Sequence, residues 1–137
     1  MILIVEDNPN ARQLFARILS SAGYRTIECD DGGEALRLLD SQCFDLVLTD
    51  LALPNTTGFG VIAHIRKKSP RLPIILVTGY LAPAAARAIL DDFVEFLPKP
   101  VDRDLLIAAV NRLLAPAPNP SHKARSDGTP PPRRGPI

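Results

Sequence analysis

The sequence predicts an α/β domain: a doubly wound, five-stranded parallel sheet in the order 2-1-3-4-5, with five helices. Three observations predict it. Short apolar runs alternate with amphipathic stretches, strand then helix, five times along the chain. Runs such as Leu46-Val47-Leu48 and Ile74-Ile75-Leu76-Val77 lack polar alternation, as strands buried on both faces require. Four of the runs end on polar groups, which a parallel sheet gathers at one edge.

The elements follow in order. Ile2 to Val5 is a short buried strand closed by Glu6, Asp7, Asn8 and Pro9. Asn8 can cap a helix that has Pro9 in its first turn. Ala11 to Ala22 is that helix, with Leu14, Phe15, Ile18 and Leu19 predicted on one face and Gly23 as its stop. Tyr24 to Cys29 is the second strand. Asp30-Asp31-Gly32-Gly33 turns the chain into a short helix, Glu34 to Leu39, with Ala35, Leu36 and Leu39 inward. Leu46 to Leu48 leads the third strand to Asp50, and a loop with Pro54, Asn55 and Gly58 follows. Phe59 to Lys68 is the third helix, with Phe59, Ile62, Ala63 and Ile65 periodic. Ile74 to Val77 is the fourth strand, ending at Thr78-Gly79. Pro83 to Leu90 is an Ala-rich fourth helix. Val94 to Leu97 is the fifth strand, ending at Pro98-Lys99-Pro100. Asp102 to Leu114 is the last helix, with Leu105, Leu106, Ala109, Val110 and Leu113 on one side.

Composition narrows the function. The 137 residues suit one domain, and the apolar fraction of 46% is ordinary for a globular chain. No apolar run approaches a membrane span, and the start Met1-Ile2-Leu3-Ile4-Val5 lacks the basic region of a signal peptide. Cys29 and Cys43 have no metal spacing and no partnering His, so both read as reduced thiols of a cytoplasmic protein. Residues 1–114, the predicted domain, carry 12 Lys and Arg against 14 Asp and Glu, with no basic stripe for nucleic acid. Residues 115–137 hold half of the chain's 14 prolines and four basic residues, and are predicted to be a disordered tail. Such a tail is either solvated or a short docking segment for an acidic or proline-reading partner.

The chemistry lies at the strand ends. Strand 1 beside strand 3 brings Glu6, Asp7 and Asp50 together. Read alone, Asp50 could be a turn cap. Three clustered carboxylates repel one another unless a cation lies among them, and oxygen ligands of this kind suit Mg²⁺. Lys99 adds a point charge and Thr78 a hydroxyl. A carboxylate nucleophile, a divalent ion, a cation and a hydroxyl are the requirements of phosphoryl transfer.

Taken together, Ile-Leu-Ile-Val-Glu6-Asp7-Asn8, Leu-Val-Leu-Thr-Asp50-Leu-Ala-Leu-Pro54, Pro-Ile-Ile-Leu-Val-Thr78-Gly79 and Phe96-Leu-Pro-Lys99-Pro100 resemble the receiver domain of bacterial response regulators. The resemblance covers residues 2–114 and implies a flavodoxin-like, single-domain receiver of a two-component system or phosphorelay. It implies that Asp50 accepts phosphate from a sensor histidine kinase or phosphotransfer protein. Asp7, Asp50 and the Ala52 backbone carbonyl would ligate Mg²⁺ (or Mn²⁺), with Glu6 acting through a water. Thr78 and Lys99 would hold phosphoryl oxygens. Phe96 takes the place of the switching aromatic, without the hydroxyl of a tyrosine. The face made by the fourth and fifth strands and the fourth and fifth helices would meet a downstream protein. The chain departs from the family pattern at Leu90-Asp91-Asp92-Phe93, where many members have Ala-Gly-Ala-Asp. Ala52 and Tyr80 follow Asp50 and Thr78 by two residues, and predict slow self-dephosphorylation. His64 reads as a surface residue and His122 as a tail residue without a partner.

Other functions are disfavoured by particular residues. An aspartyl-nucleophile phosphatase of the haloacid-dehalogenase type wants a second Asp where Ala52 stands, so no enzymatic turnover beyond self-phosphorylation and self-dephosphorylation is expected. A nucleotide- or flavin-binding domain would have a glycine-rich loop after strand 1 in place of the anion-repelling Glu6-Asp7. A phosphorylation-independent adaptor receiver remains the alternative within the family.

Overall fold

In a computed structural model of the protein, residues 1–79 and 93–115 are described. They form β1 (Ile2–Val5), α1 (Pro9–Ser21), β2 (Thr26–Cys29), α2 (Gly32–Ser41), β3 (Leu46–Asp50), α3 (Gly58–Lys68), β4 (Ile74–Thr78), β5 (Val94–Pro98) and α4 (Arg103–Leu114). Here α4 is the last helix of the sequence reading. The helix predicted over Pro83 to Leu90 lies outside the described residues, as does the tail from residue 116.

The strands make one sheet in the order β2-β1-β3-β4-β5, and every pairing is parallel. Side chains alternate between its faces. Ile2, Ile4, Leu46, Leu48, Ile75, Val77 and Leu97 pack with Phe15, Ile18 and Leu19 of α1 and Leu106, Ala109 and Val110 of α4. Leu3, Val5, Val47, Ile74, Leu76 and Val94 pack on the other side with Ala35 of α2 and Val61, Ile62 and Ile65 of α3. Burial of each large aliphatic side chain contributes about 2 kcal/mol, so these two layers supply most of the driving force. Among the described residues no helix is long and apolar enough to cross a membrane.

Capping explains where the helices begin. Asn8 accepts the Ala11 N–H, and Pro9 opens α1 in the first turn. The Asp31 side chain accepts the Glu34 N–H at 2.7 Å, which draws Gly32 and Gly33 into α2, two residues before its predicted start. Asp102 caps α4 by accepting the Leu105 N–H at 2.8 Å. Tyr24, predicted in the second strand, instead closes the end of α1: its N–H donates to the Leu19 carbonyl and its hydroxyl to Asn111.

Three predicted inward positions face outward. Leu14 is 44% exposed and Leu105 is 55% exposed. The buried stripes run through Phe15, Ile18 and Leu19 and through Leu106, Ala109 and Val110, and each exposed leucine lies about 100° around its helix from the first residue of that stripe. Ala63 of α3 is likewise exposed, while its neighbours Val61 and Ile62 are buried.

Candidate functional site

Register aligns the strand ends. Val5 pairs with Thr49, Asp50 with Val77 and Thr78 with Pro98. Glu6, one residue past β1, therefore sits beside Asp50. Lys99, one residue past β5, sits beside Thr78 and donates its backbone N–H to the Thr78 carbonyl at 3.0 Å.

The Lys99 ammonium bridges two carboxylates. Its Nζ lies 2.9 Å from Asp50 Oδ2 and 3.0 Å from Glu6 Oε1. Glu6 is 1% exposed, and its Oε2 accepts the Asn8 N–H at 3.1 Å. Asp50 is buried, and its Oδ1 accepts the Ala52 N–H at 3.3 Å. Asp7 is exposed at the rim. One carboxylate oxygen from each of Glu6, Asp7 and Asp50 lies within 4.8 Å of the others. Burial raises the Glu6 carboxyl above its ordinary pKa, against the Asn8 N–H and Lys99, while the nearby Asp50 charge pushes the same way as burial. Burial opposes the Lys99 ammonium, but hydrogen bonds and charge from Asp50 and Glu6 together outweigh it and raise its pKa.

The three carboxylates and one ammonium carry a formal charge of −2, with Glu6 and Asp50 buried and Asp7 exposed. Repulsion at this spacing is costly without a counter-ion. The donors are all oxygen and carry charge, which fits a hard divalent cation such as Mg²⁺ and not a soft one.

The sequence-predicted residues fall as follows. Glu6, Asp7, Asp50 and Lys99 converge, and Thr78 and Ala52 lie in the strand end and loop beside them. Phe96 is half-buried in β5 against the core layer that contains Leu76 and Val94. Tyr80 lies outside the described residues. His64 stands apart from the site: its Nε2 lies 2.9 Å from Asp40 Oδ1, and Asp40 also meets Lys68, so the three tie α2 to α3. Cys29 is buried and Cys43 exposed.

Two contributors escaped the sequence reading. Arg12, one turn into α1, donates Nη1 to the Glu6 carbonyl at 2.9 Å and faces Glu28 of β2 at 3.6 Å. An arginine at the fourth residue of a helix that starts at a strand's carboxyl end was the available signal. The other is the packing of Gly58, which the sequence placed only in the loop between β3 and α3, against the end of β3. Gly58 packs on the Asp50 carbonyl so closely that a Cβ there would lie 2.5 Å from it.

Comparison with known proteins agrees with this geometry. The family model for the response regulator receiver domain matches residues 2–111. The chain belongs to that family, as a receiver domain of two-component signalling. It is 36% identical over 114 residues to the transcriptional regulatory protein GlrR of Escherichia coli, a match covering 82% of this chain and 26% of GlrR. It is 37% identical over 107 residues to the sensor histidine kinase RcsC of Salmonella typhimurium, covering 77% of this chain and 11% of RcsC. The chain thus spans about a quarter of the first of these relatives and about a tenth of the second. Among solved structures, the receiver domain of a Pseudomonas aeruginosa sensor histidine kinase, with magnesium coordinated in its active-site cleft, is 30% identical with a TM-score of 0.75, covering 84% of this chain and 97% of that one. The response regulator TrrA of Thermotoga maritima, in complex with Mg²⁺ and BeF, is 35% identical with a TM-score of 0.73, covering 82% and 97%.

Proposed function

We propose that Asp50 is the phosphoacceptor, taking a phosphoryl group from a phosphohistidine on a sensor kinase or phosphotransfer protein. The observation that carries this reading is the bridging of Asp50 and Glu6 by Lys99, 2.9 and 3.0 Å away, at the carboxyl edge of a parallel sheet. An Asp50 carboxylate oxygen attacks phosphorus in line, and the P–N bond to the donor imidazole breaks. The bonding electron pair stays on the ring nitrogen. Lys99 is placed to follow charge onto the phosphoryl oxygens, and Thr78 offers its hydroxyl to another.

Mg²⁺ fits the acidic cluster of Glu6, Asp7 and Asp50; Asp7, Asp50 and the Ala52 carbonyl would hold it, with Glu6 acting through a water, and it would supply positive charge to the phosphoryl oxygens. The magnesium in the two solved relatives supports the assignment. Beyond its own phosphorylation and dephosphorylation the domain turns over no substrate. Thr78, drawn to the phosphoryl group, leaves room for half-buried Phe96 to pack inward. That biases a two-state equilibrium read by a downstream protein at the face carrying β4, β5 and α4. The domain acts in the cytoplasm, where its phosphodonor resides.

Intact-mass measurement after incubation with acetyl phosphate and Mg²⁺ tests the reading. A Mg²⁺-dependent phosphoryl adduct on the wild type, absent from Asp50→Asn, is the expected result. No adduct on the wild type, even with a kinase supplied, would replace the proposal with a phosphorylation-independent adaptor.

A further inference from the structure

We infer that Gly32, at the start of α2, is a positioning residue for the loop that follows Asp50, and so for metal binding by the acid cluster; this rests on the proposed Mg²⁺ site. The loop, residues 51–57, carries the Ala52 carbonyl. Its apex is seated on the first turn of α2. The Gly32 N–H donates to the Pro54 carbonyl at 3.1 Å, and the same carbonyl accepts the Thr56 N–H at 2.7 Å across Asn55, which is held at φ +69°. A Cβ on Gly32 would lie 2.2 Å from Thr56 Cγ2 and 2.4 Å from the Thr56 carbonyl oxygen. Carbon atoms in contact sit about 3.5–4.0 Å apart, so a single methyl group at Gly32 demands a displacement on the order of 1 Å.

The displacement has few places to go. At its far end the loop is pinned by Gly58, whose N–H donates to the Leu51 carbonyl at 2.8 Å and on which a Cβ would lie 2.5 Å from the Asp50 carbonyl oxygen. Movement of the loop therefore passes to residues 52–55. Movement of α2 instead passes back three residues to Cys29, whose carbonyl accepts the Glu6 N–H at 3.1 Å. Both routes reach the acid cluster. Gly33 differs: a Cβ there would meet Asp31 Oδ1 at 3.2 Å and Asn55 Cβ at 3.7 Å, contacts that small side-chain shifts absorb. Gly33→Ala is thus a matched control, since it makes the same gain in helix propensity in the same turn without pushing on loop backbone.

The test is Mg²⁺ titration of the full chain by calorimetry, with thermal melting recorded in parallel to confirm that each sample is folded. Gly32→Ala is expected to weaken Mg²⁺ binding by tenfold or more, as about 1 Å of misplacement does at a preorganised site, and Gly33→Ala by less than twofold. Thr56→Ala, which strips the side-chain atoms from the Gly32 and Gly60 contacts without crowding anything, is expected to weaken binding about threefold by loosening the loop. It keeps the question open to test if Gly32→Ala fails to fold. Wild-type affinity in Gly32→Ala overturns the inference, as does wild-type affinity in Thr56→Ala where Gly32→Ala is unfolded. A purely structural role would lower the melting temperature and leave the affinity of the folded protein alone. If the wild type itself binds no Mg²⁺, the proposed site fails and this inference falls with it; if it binds and all three variants match it, this inference alone is wrong.

Discussion

Lys99 Nζ lies 2.9 Å from Asp50 Oδ2, and the residues are 49 apart in the chain. The sheet brings them together, through β4, and the same ammonium reaches Glu6 from β1. Lys99 thus holds two buried carboxylates that would otherwise face each other unscreened. Lys99→Ala is expected to lower stability by about 2 kcal/mol without metal, the scale of hydrogen bonds to charged groups. Millimolar Mg²⁺ should recover part of that loss, because it replaces the missing positive charge. Urea unfolding with and without Mg²⁺ checks this; an equal loss in both conditions would show that Lys99 does not act through the cluster's charge.

The two thiols differ in environment, and their reactivity should differ likewise. Burial, with help from Glu34, Asp31 and Asp30, pushes the Cys29 thiol up to about 12. The thiolate is the nucleophile, so at pH 8 iodoacetamide should modify exposed Cys43 and leave Cys29 untouched, giving one adduct by intact mass. The same shift has a stability consequence. A thiol neutral when folded but ionised when unfolded contributes fully below the unfolded pKa, near 9, and loses its contribution as pH rises toward 12. Stability should therefore fall across that window, and less steeply in Cys29→Ala. Identical slopes would remove Cys29 from the account.

The exposed leucines test the packing. Leu14→Ser and Leu105→Ser should each change stability by no more than about 0.5 kcal/mol, since neither joins a core layer. Phe15→Ala, one residue from Leu14, should cost about 3–5 kcal/mol because Phe15 is 4% exposed among Ile18, Leu19 and β-sheet aliphatics. Similar losses for Leu14 and Phe15 would mean that α1 packs on a wider face.

These leucines also show what the sequence could reveal. Strand identity and order were legible, because uninterrupted apolar runs between amphipathic stretches admit few topologies. The converging residues were legible too: Glu6, Asp7, Asp50 and Lys99 each terminate a run, and parallel strands put all terminations on one edge. Helix faces were less so, because a stripe wider than 100° leaves flanking leucines such as Leu14 and Leu105 ambiguous until a neighbour covers them. Least legible were contacts between loops. Nothing in Gly32-Gly33 says which glycine meets Thr56, and nothing in Arg12 says that its guanidinium finds the Glu6 carbonyl. Such contacts depend on backbone placement of segments distant in sequence.

Ala52 bears on how long a phosphoryl group on Asp50 would last. It stands two residues past Asp50, exposed at the surface, and its N–H is already engaged by Asp50 Oδ1. Hydrolysis needs a water held in line with the phosphorus–oxygen bond, and a methyl group offers that water neither a donor nor an acceptor. Ala52→Asn supplies both. The acyl phosphate is expected to decay several-fold faster in Ala52→Asn than in the wild type, measured by loss of the phosphoryl mass after removal of acetyl phosphate. Mg²⁺ affinity should not change, because the proposed ligand at this position is the backbone carbonyl, which the substitution retains. Unchanged decay would mean that water is limited elsewhere, with Tyr80 the next residue to replace, by Tyr80→Ala; faster decay together with weaker Mg²⁺ binding would mean instead that the side chain had disturbed the loop seated on Gly32.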